Sequence, residues 1–487
     1  MSATKEVTRS DKMPKAVPYI IGNEAAERFS FYGIRSILST FLVAQFFNPA
    51  FNPAMQTVAE ARSNEMVHLF VTLAYFMPLI GGILADWFFG KYKVILYVSV
   101  VYAMGNLVMA MFTHNYTLFS VGLVIIAVAA GGIKSCVSAN VGDQFDKSNQ
   151  HLISKMYGWF YFAINTGSMV STVLIPVLYH KYGPQVAFGV PGILMCLATI
   201  IFFMGRKKYV RVAPTGIKKE NFTVITLFVI GKGFRNMFTR LLGRPKGLTV
   251  WQAAAQKYSA PAIDGVQAVY RILAIFAFTP IFWAMWDQNL TEWILQATKM
   301  DLHVFGFTLL PEQMSTVNTI FLVGMIPVFT YVIYPFFEKI GLKPTPLRRI
   351  GAGLFLTGLC FVIIGLIQTA IDAGGHPTIW WQILAYFILS GAEILVSITC
   401  LEYAYTHSPK SMKSTMSALY LLTISAGNYF DSLVNKSIAN HGFFSKFEGA
   451  RYDWLFVGIL VVFLFIYLLV AKRLPEKSYI AGEAETA

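Results

Sequence analysis

Glu24, Glu27, Arg28 and Arg35 lie within residues 17–47, a run otherwise apolar enough to cross a bilayer. At about 100° per residue, Glu24, Glu27, Arg28, Phe31 and Arg35 fall at about 0, 300, 40, 340 and 20°, on one face of a helix. Charge at bilayer depth is costly, so such groups turn inward, pair with one another and mark a path for a substrate or a proton. The alternative is a structural ion pair between Glu24 and Arg28 at i,i+4 spacing.

Further polar groups stand singly in apolar surroundings. His68 is expected a few residues inside the outer end of its helix, with Tyr75 two turns inward on the same face; imidazole carries a proton near neutral pH, although an interfacial histidine is equally often structural. Lys134 follows the apolar run 118–133 and either stays buried or snorkels to the cytoplasmic surface. Asn165 lies in Phe160-Tyr161-Phe162-Ala163-Ile164-Asn165-Thr166-Gly167-Ser168, whose small residues also suit helix packing. Asp287 sits in Phe282-Trp283-Ala284-Met285-Trp286-Asp287-Gln288, where a carboxylate stays ionised only with a cation close by. Asn318 is mild and could simply bond to backbone. Glu393 has no cation near it in sequence and needs a partner from another helix, for which Lys134 is the candidate. No H-E-x-x-H, phosphate loop, dinucleotide glycine pattern or nucleophile elbow occurs, so catalysis, a metal and a cofactor are not expected.

The elements that must hold these groups are membrane spans. Of 487 residues, 56% are hydrophobic, 15% aromatic and only 13% charged, far more apolar than a soluble domain. A net charge of +14 raises nucleic acid as a partner for a soluble protein, but its placement argues against that. Residues 206–250 hold eleven lysines and arginines against the single acid Glu220, which accounts for +10 of the total; this is a cytoplasmic connector facing anionic lipid. Cys136, Cys196, Cys360 and Cys400 all fall in spans without a C-x-x-C pair, which argues against disulfides and zinc. Residues 1–16 have no apolar core ahead of a small-residue cleavage site, so no cleaved signal peptide is expected.

Apolar windows of about 20 residues place spans near 17–47, 64–89, 92–113, 116–141, 151–180 and 186–205, then near 267–291, 311–336, 346–370, 378–406, 411–436 and 453–472. The expected protein is an all-α, multi-pass membrane protein with 12 transmembrane helices in two six-helix halves, 17–205 and 267–472. Tails 1–16 and 473–487 and connector 206–266 are cytoplasmic, because basic residues collect in the loops on that side. Within the connector, Phe222 to Phe238 and Trp251 to Tyr258 are amphipathic and suit the bundle or the lipid headgroups. The run 221–231 is too short to span.

Gly81-Gly82-Ile83-Leu84-Ala85-Asp86-Trp87-Phe88-Phe89-Gly90-Lys91-Tyr92-Lys93 resembles the cytoplasmic loop motif of the major facilitator superfamily, with Trp87 where Arg is frequent. The stretch Glu24 to Arg28 running on to Phe31-Tyr32-Gly33, together with residues 160–168, 282–288 and 393–405, resembles the proton-dependent oligopeptide transporter family from about residue 18 to 472. His68, residues 251–258, Leu401-Glu402-Tyr403 and Ser408-Pro409-Lys410 look closer to intestinal-type mammalian members than many bacterial members do.

That resemblance implies a proton-coupled symporter that imports di- and tripeptides by alternating access across the inner (plasma) membrane, working as a monomer. It implies proton coupling through Glu24, Glu27, Arg28, His68 and Asp287, the last paired with Arg35 to close the outer side. Tyr32, Arg35, Tyr75 and Lys134 would meet the peptide carboxylate, Asn165 and Asn318 its backbone, and Glu393 its amino group, with Trp283 and Tyr420 also at the peptide. Phe31 replaces a common Tyr and Tyr420 a common Trp. The rival readings are a same-fold carrier of nitrate or another small anion, and a membrane receptor that binds peptide without moving it.

Overall fold

The computed structural model describes residues 12–48, 55–146, 148–214, 216, 220–241, 248–408 and 413–473. Lys147, Lys218, Pro409, Lys410 and most of both expected tails lie outside them. Eighteen helices follow in order: α1 (Val17–Gln45), α2 (Gln56–Leu84), α3 (Lys91–Met111), α4 (Tyr116–Gly142), α5 (Ile153–Tyr182), α6 (Pro184–Met204), α7 (Phe222–Leu241), α8 (Val250–Ala255), α9 (Ala260–Phe276), α10 (Thr279–Asp287), α11 (Glu292–Ala297), α12 (Met314–Val328), α13 (Tyr334–Lys339), α14 (Pro346–Asp372), α15 (Trp380–Glu393), α16 (Thr399–His407), α17 (Lys413–Ala439) and α18 (Ala450–Ala471). Local chemistry sets many of the boundaries. Proline stands in the first turn of α1, α6, α9, α10 and α14, where its missing N–H costs nothing. The Asn115 side chain caps α4 by accepting from Leu118 N at 3.0 Å, and Thr249 with Gln252 forms a reciprocal capping box on α8.

Among the described residues, nine helical stretches are long and apolar enough to cross a membrane, and the pair Ala260–Phe276 and Thr279–Ala297, bent by 47°, supplies a tenth. Helix α1, of 29 residues, and α17, of 27, are also long enough. Their hydropathy is lowered by the same inward polar groups that distinguish them: Glu24, Glu27, Arg28 and Arg35 on α1, and Asn428, Asp431 and Asn435 on α17. A π-helical turn at Ala85–Phe89 closes α2, and single π-helical turns at Phe329–Ile333 and Ile394–Ile398 join α12 to α13 and α15 to α16. The third follows Glu393 directly, in keeping with the tendency of such bulges to fall at functional positions.

Helix α2 runs against α17 and α4, α3 against α4 and α6, and α1 against α5 and α6. Small residues permit these approaches. A Cβ on Gly81 would lie 2.7 Å from Gly132 Cα, which joins α2 to α4, and one on Gly167 would lie 2.6 Å from the Ala25 carbonyl oxygen. The Gly167 contact draws α5 against α1 one residue from Glu24, so the small residues of 160–168 are packing residues. Between α11 and α12 a short hairpin pairs His303–Val304 with Phe307–Thr308. Its turn residues Phe305 and Gly306 have φ of 48° and 84°, the left-handed pair that a two-residue hairpin loop requires.

The connector helix α7 turns Phe222, Ile225 and Val229 to the bundle and leaves Leu227, Ile230, Phe234, Met237 and Phe238 exposed. This is the two-faced arrangement of an interfacial helix. Glu220 accepts from Ser259 N at 2.9 Å and Ser259 Oγ at 2.8 Å, and these two donors hold its carboxyl below the usual range.

Candidate functional site

The α1 face lies at the centre of the helices preceding the connector. Glu24 and Glu27 are buried. Arg28 Nε stands 2.8 Å from Glu24 Oε1 and 3.3 Å from Glu27 Oε2, while Lys134 Nζ on α4 reaches Glu27 Oε1 at 2.9 Å. Two acids and two bases form one neutral cluster, so Lys134 does not snorkel to the surface. Its ammonium lies 3.6 Å from the centroid of the Phe31 ring and 5.5 Å from that of Tyr75. The ring face at Phe31 therefore partly desolvates and supports the cation through its quadrupole, where a hydroxyl would have offered a hydrogen bond. Tyr32 lies within electrostatic reach of Arg28, Arg35, Glu393 and Asp287, and its ring meets that of Phe31 edge to face at 5.6 Å.

The expected Lys134–Glu393 pair does not form. Lys134 is taken by Glu27 on its neighbour α1, whereas Glu393 accepts from Trp286 Nε1 of α10 at 2.9 Å and from Asn318 Nδ2 of α12 at 3.2 Å. Helix α15 packs with α12 and α14, which puts neutral donors within reach of Glu393 before any cation. Asn318 also donates to Ser390 Oγ at 3.0 Å, so it serves the carboxylate and its support rather than backbone. Asn165 donates to the Tyr161 carbonyl of its own helix at 2.8 Å. Trp283 stacks edge to face on Trp286 at 5.5 Å and on Tyr420 at 6.1 Å, and Tyr420 donates to Ser397 Oγ at 2.9 Å.

Arg35, fully buried, donates from Nη2 to Asp287 Oδ1 at 2.7 Å, a tie between α1 and α10. Asn428 Nδ2 of α17 donates to Asp287 Oδ2 at 2.6 Å, and its Oδ1 meets His68 Nδ1 at 2.8 Å. His68 is not near a helix end, because α2 begins at Gln56 and not near residue 64. The polar first turns fall below the hydropathy of a span, yet they are held by Gln56 Nε2 donating to Glu60 Oε1 at 2.6 Å and Glu60 pairing with Lys299 at 2.8 Å. At that same end, remote from the connector, Asn64 donates to Glu292 at 2.6 Å, Thr316 to Thr172 at 2.9 Å, and His180 lies 3.3 Å from Glu312. Each of these contacts joins a helix before the connector to a segment after it, α11 and α12 for the first two and the turn Pro311–Gln313 for Glu312.

Asn428 and Asp431 are not among the residues expected from the sequence. Both are polar groups three residues apart in a helix long enough to span, and the rule applied to Glu24 and Glu27 would have singled them out. Trp286, as donor to Glu393, had no sequence signal beyond its aromatic surroundings.

Long helices of membrane-spanning character around paired intramembrane charges define a polytopic membrane protein of the transporter class. Residues 92–455 match the family described as the POT family. The chain is 37% identical over 374 residues to Peptide transporter 3 of Caenorhabditis elegans, covering 74% of this chain and 51% of that one. It is 38% identical over 379 residues to Peptide transporter family 1 of Drosophila melanogaster, covering 74% and 49%. The crystal structure of an auto-inhibited POT family peptide transporter superposes with a TM-score of 0.86 at 33% identity, covering 96% of this chain and 98% of that one. The chain belongs to the POT family of transporters. It spans about half the length of the animal relatives it matches.

Proposed function

We propose that this protein is a proton-coupled symporter that imports di- and tripeptides by alternating access between two six-helix halves, 17–205 and 267–472, as a monomer in the plasma (inner) membrane. Counting α1 and α17 as spans, despite their polar faces, and treating α9 to α11 as one bent span gives twelve. The observation that carries the function is the separation of opposite charges. Arg35 and Lys134 stand on helices before the connector, whereas Glu393, held by the neutral donors Trp286 and Asn318, stands after it. A zwitterion bridging them has a cation for its carboxylate and an acid for its ammonium. Tyr32 and Tyr75 flank the cationic end, Asn165 and Asn318 suit the peptide backbone, and Trp283 and Tyr420 suit side chains.

The contacts at the end remote from the connector, Arg35–Asp287, Glu60–Lys299, Asn64–Glu292 and His180–Glu312, support an arrangement closed outward. Proteoliposomes with an imposed inward proton gradient test the reading. Labelled dialanine should accumulate, with competition from tripeptides and none from tetrapeptides, sugars or nitrate; uptake that ignores the gradient, or competition by nitrate, would defeat it.

Glu393→Gln is the specific check on substrate polarity. With the acid gone, dialanine should bind about 10-fold or more weakly, since a charge-assisted hydrogen bond contributes about 1.5–3 kcal/mol. N-acetylated dialanine, with no ammonium to lose, should change by less than about threefold. Equal losses for the free and blocked peptides would remove Glu393 from the amino-terminal contact.

Topology is checked on the connector. In a variant with Cys196, the exposed one of the four cysteines, changed to serine, Arg235→Cys on α7 should react with an impermeant thiol reagent only from the cytoplasmic face. Reaction from outside would break the twelve-span arrangement.

A further inference from the structure

The residues leaving α6 form a strap that the transport reading does not use. After the turn Gly205–Lys207 the chain folds back over the end of the helices preceding the connector. Tyr209 stacks on Phe202 with ring centroids 4.9 Å apart, meets Tyr92 of α3 at 5.4 Å and donates its hydroxyl to the Phe202 carbonyl at 2.7 Å. Gly205 makes room for that return: a Cβ there would lie 2.5 Å from the Tyr209 hydroxyl oxygen and 3.0 Å from the ring of Tyr19. Further along, Gln144, just beyond α4, bonds the Val210 backbone in both directions, accepting from its N–H at 2.9 Å and donating to its carbonyl at 3.2 Å. Residues 205–210 are thus fixed across α1, α3 and the end of α4.

Three cations of this strap rest on rings. Arg206 lies 4.3 Å from the centroid of Phe203, Arg211 4.1 Å from that of Tyr92, and Lys208 4.4 Å from that of Tyr19, whose hydroxyl also accepts from its Nζ. Arg211 Nη2 donates to the Arg206 carbonyl at 2.7 Å, closing the strap on itself. A ring face steadies a cation without neutralising it. All three side chains stay exposed, and among the described residues none of them has an acid in ion-pair range; Asp143, at the same end of the bundle, is held by Lys91 at 2.7 Å. An anion is what this arrangement lacks, and α6 indicates its source. Ile193, Leu197, Ile200, Ile201 and Met204 are exposed and fall within about 100° of one another around the helix. That apolar stripe faces acyl chains and runs straight into the strap, so the cations beyond it stand at headgroup depth, where aromatic rings beside lysine and arginine belong.

We propose that the strap 205–211 is a binding site for the headgroup of an anionic phospholipid, with the phosphate taken by Arg206, Lys208 and Arg211. Guanidinium groups present paired N–H donors that match phosphate oxygens. The site differs from the general attraction of a basic connector to an anionic surface, because it depends on where three cations are held and not on how many the connector carries. The test uses the full chain purified in a neutral detergent and titrated with dioleoylphosphatidylglycerol, with bound lipid counted by native mass spectrometry. Combining Arg206→Gln, Lys208→Gln and Arg211→Gln should weaken binding about tenfold or more, the loss of charge-assisted hydrogen bonds. Combining Lys232→Gln, Arg235→Gln and Lys257→Gln removes as many connector charges outside the strap and should weaken it by less than about threefold. Dioleoylphosphatidylcholine, neutral overall, should bind the parent and both variants alike, and inorganic phosphate at the lipid's concentration should not displace the anionic lipid. Unchanged affinity in the strap variant overturns the proposal, and so does an equal loss in the control variant, which marks diffuse charge. Displacement by inorganic phosphate overturns the lipid assignment, and a parallel loss of phosphatidylcholine binding overturns recognition of the headgroup charge. None of these outcomes depends on transport.

Discussion

Glu27→Gln is expected to abolish proton-driven accumulation of dialanine while retaining peptide-for-peptide exchange. Glu24, Glu27, Arg28 and Lys134 sum to zero charge, with Lys134 at 2.9 Å from Glu27 and Arg28 shared between both acids. A peptide carboxylate that recruits Lys134 adds one negative charge and leaves two acids on a single arginine. One proton restores neutrality, which makes proton and peptide binding a single linked equilibrium. In Glu27→Gln the cluster starts one charge positive and becomes neutral when peptide alone binds, so no proton is needed. The effect is large because one proton crossing 100 mV is worth about 2.3 kcal/mol, roughly fiftyfold in accumulation. That ratio should collapse to about one. Glu24→Gln should uncouple in the same way through Arg28, and Lys134→Ala should lose both accumulation and exchange. If the cluster were only a structural ion pair holding α1 in place, the glutamine variants would lose exchange as well. A glutamine variant that still concentrates peptide on a proton gradient would remove the cluster from coupling. Gradient-driven uptake and counterflow in the same vesicles decide between these outcomes.

Asp287→Asn should open the outer end. The Arg35–Asp287 pair joins α1 to α10, both partners are buried, and Asn428 completes the carboxylate's shell. Leaving Arg35 buried without its partner costs about 3–5 kcal/mol, so the closed outer end becomes the costly state and Arg35 turns toward water. A cysteine at Thr72, whose carbonyl Ser425 of α17 meets at 2.8 Å, should then react from outside at least about tenfold faster than in the parent, given that the cost of the broken pair far exceeds the 1.4 kcal/mol of a tenfold change. In the parent, where the Arg35–Asp287 pair at 2.7 Å is intact, the same cysteine should stay slow to react. In Asp287→Asn its reactivity should be high at every pH, since a neutral amide cannot re-form the pair. A parent-like rate in this variant would reduce Arg35, Asp287 and His68 to structural pairing.

Much of this was legible in the sequence because the bilayer makes charge conspicuous. In water, Glu24, Glu27, Arg28, Lys134, Asp287 and Glu393 would be unremarkable; at bilayer depth each must find a partner or a function, so residue type and depth alone mark them as candidates. Helical periodicity put Glu24, Glu27, Arg28 and Arg35 on one face, and the structure has them inward. Hydropathy placed most helices to within a few residues; the exceptions are the bent span Ala260–Ala297, expected at 267–291, and the polar start of α2 at Gln56–Ser63, where Glu60 pairs with Lys299 from a distant segment.

Partner choice was decided only by the tertiary structure. Which acid Lys134 meets depends on α4 packing beside α1 and α2, an approach permitted between α2 and α4 by Gly81 against Gly132, while Gly167 against Ala25 seats α5 on α1. No spacing along the chain encodes the 107 residues between Glu27 and Lys134 or the 252 between Arg35 and Asp287. The support given to Glu393 by Trp286 and Asn318, and the network of His68, Asn428 and Asp431, follow the same rule. Sequence fixes which groups are too costly to leave unpaired in lipid, while pairing itself is a property of neighbouring helices, set by close packing and by distances of about 3 Å that only the assembled bundle defines.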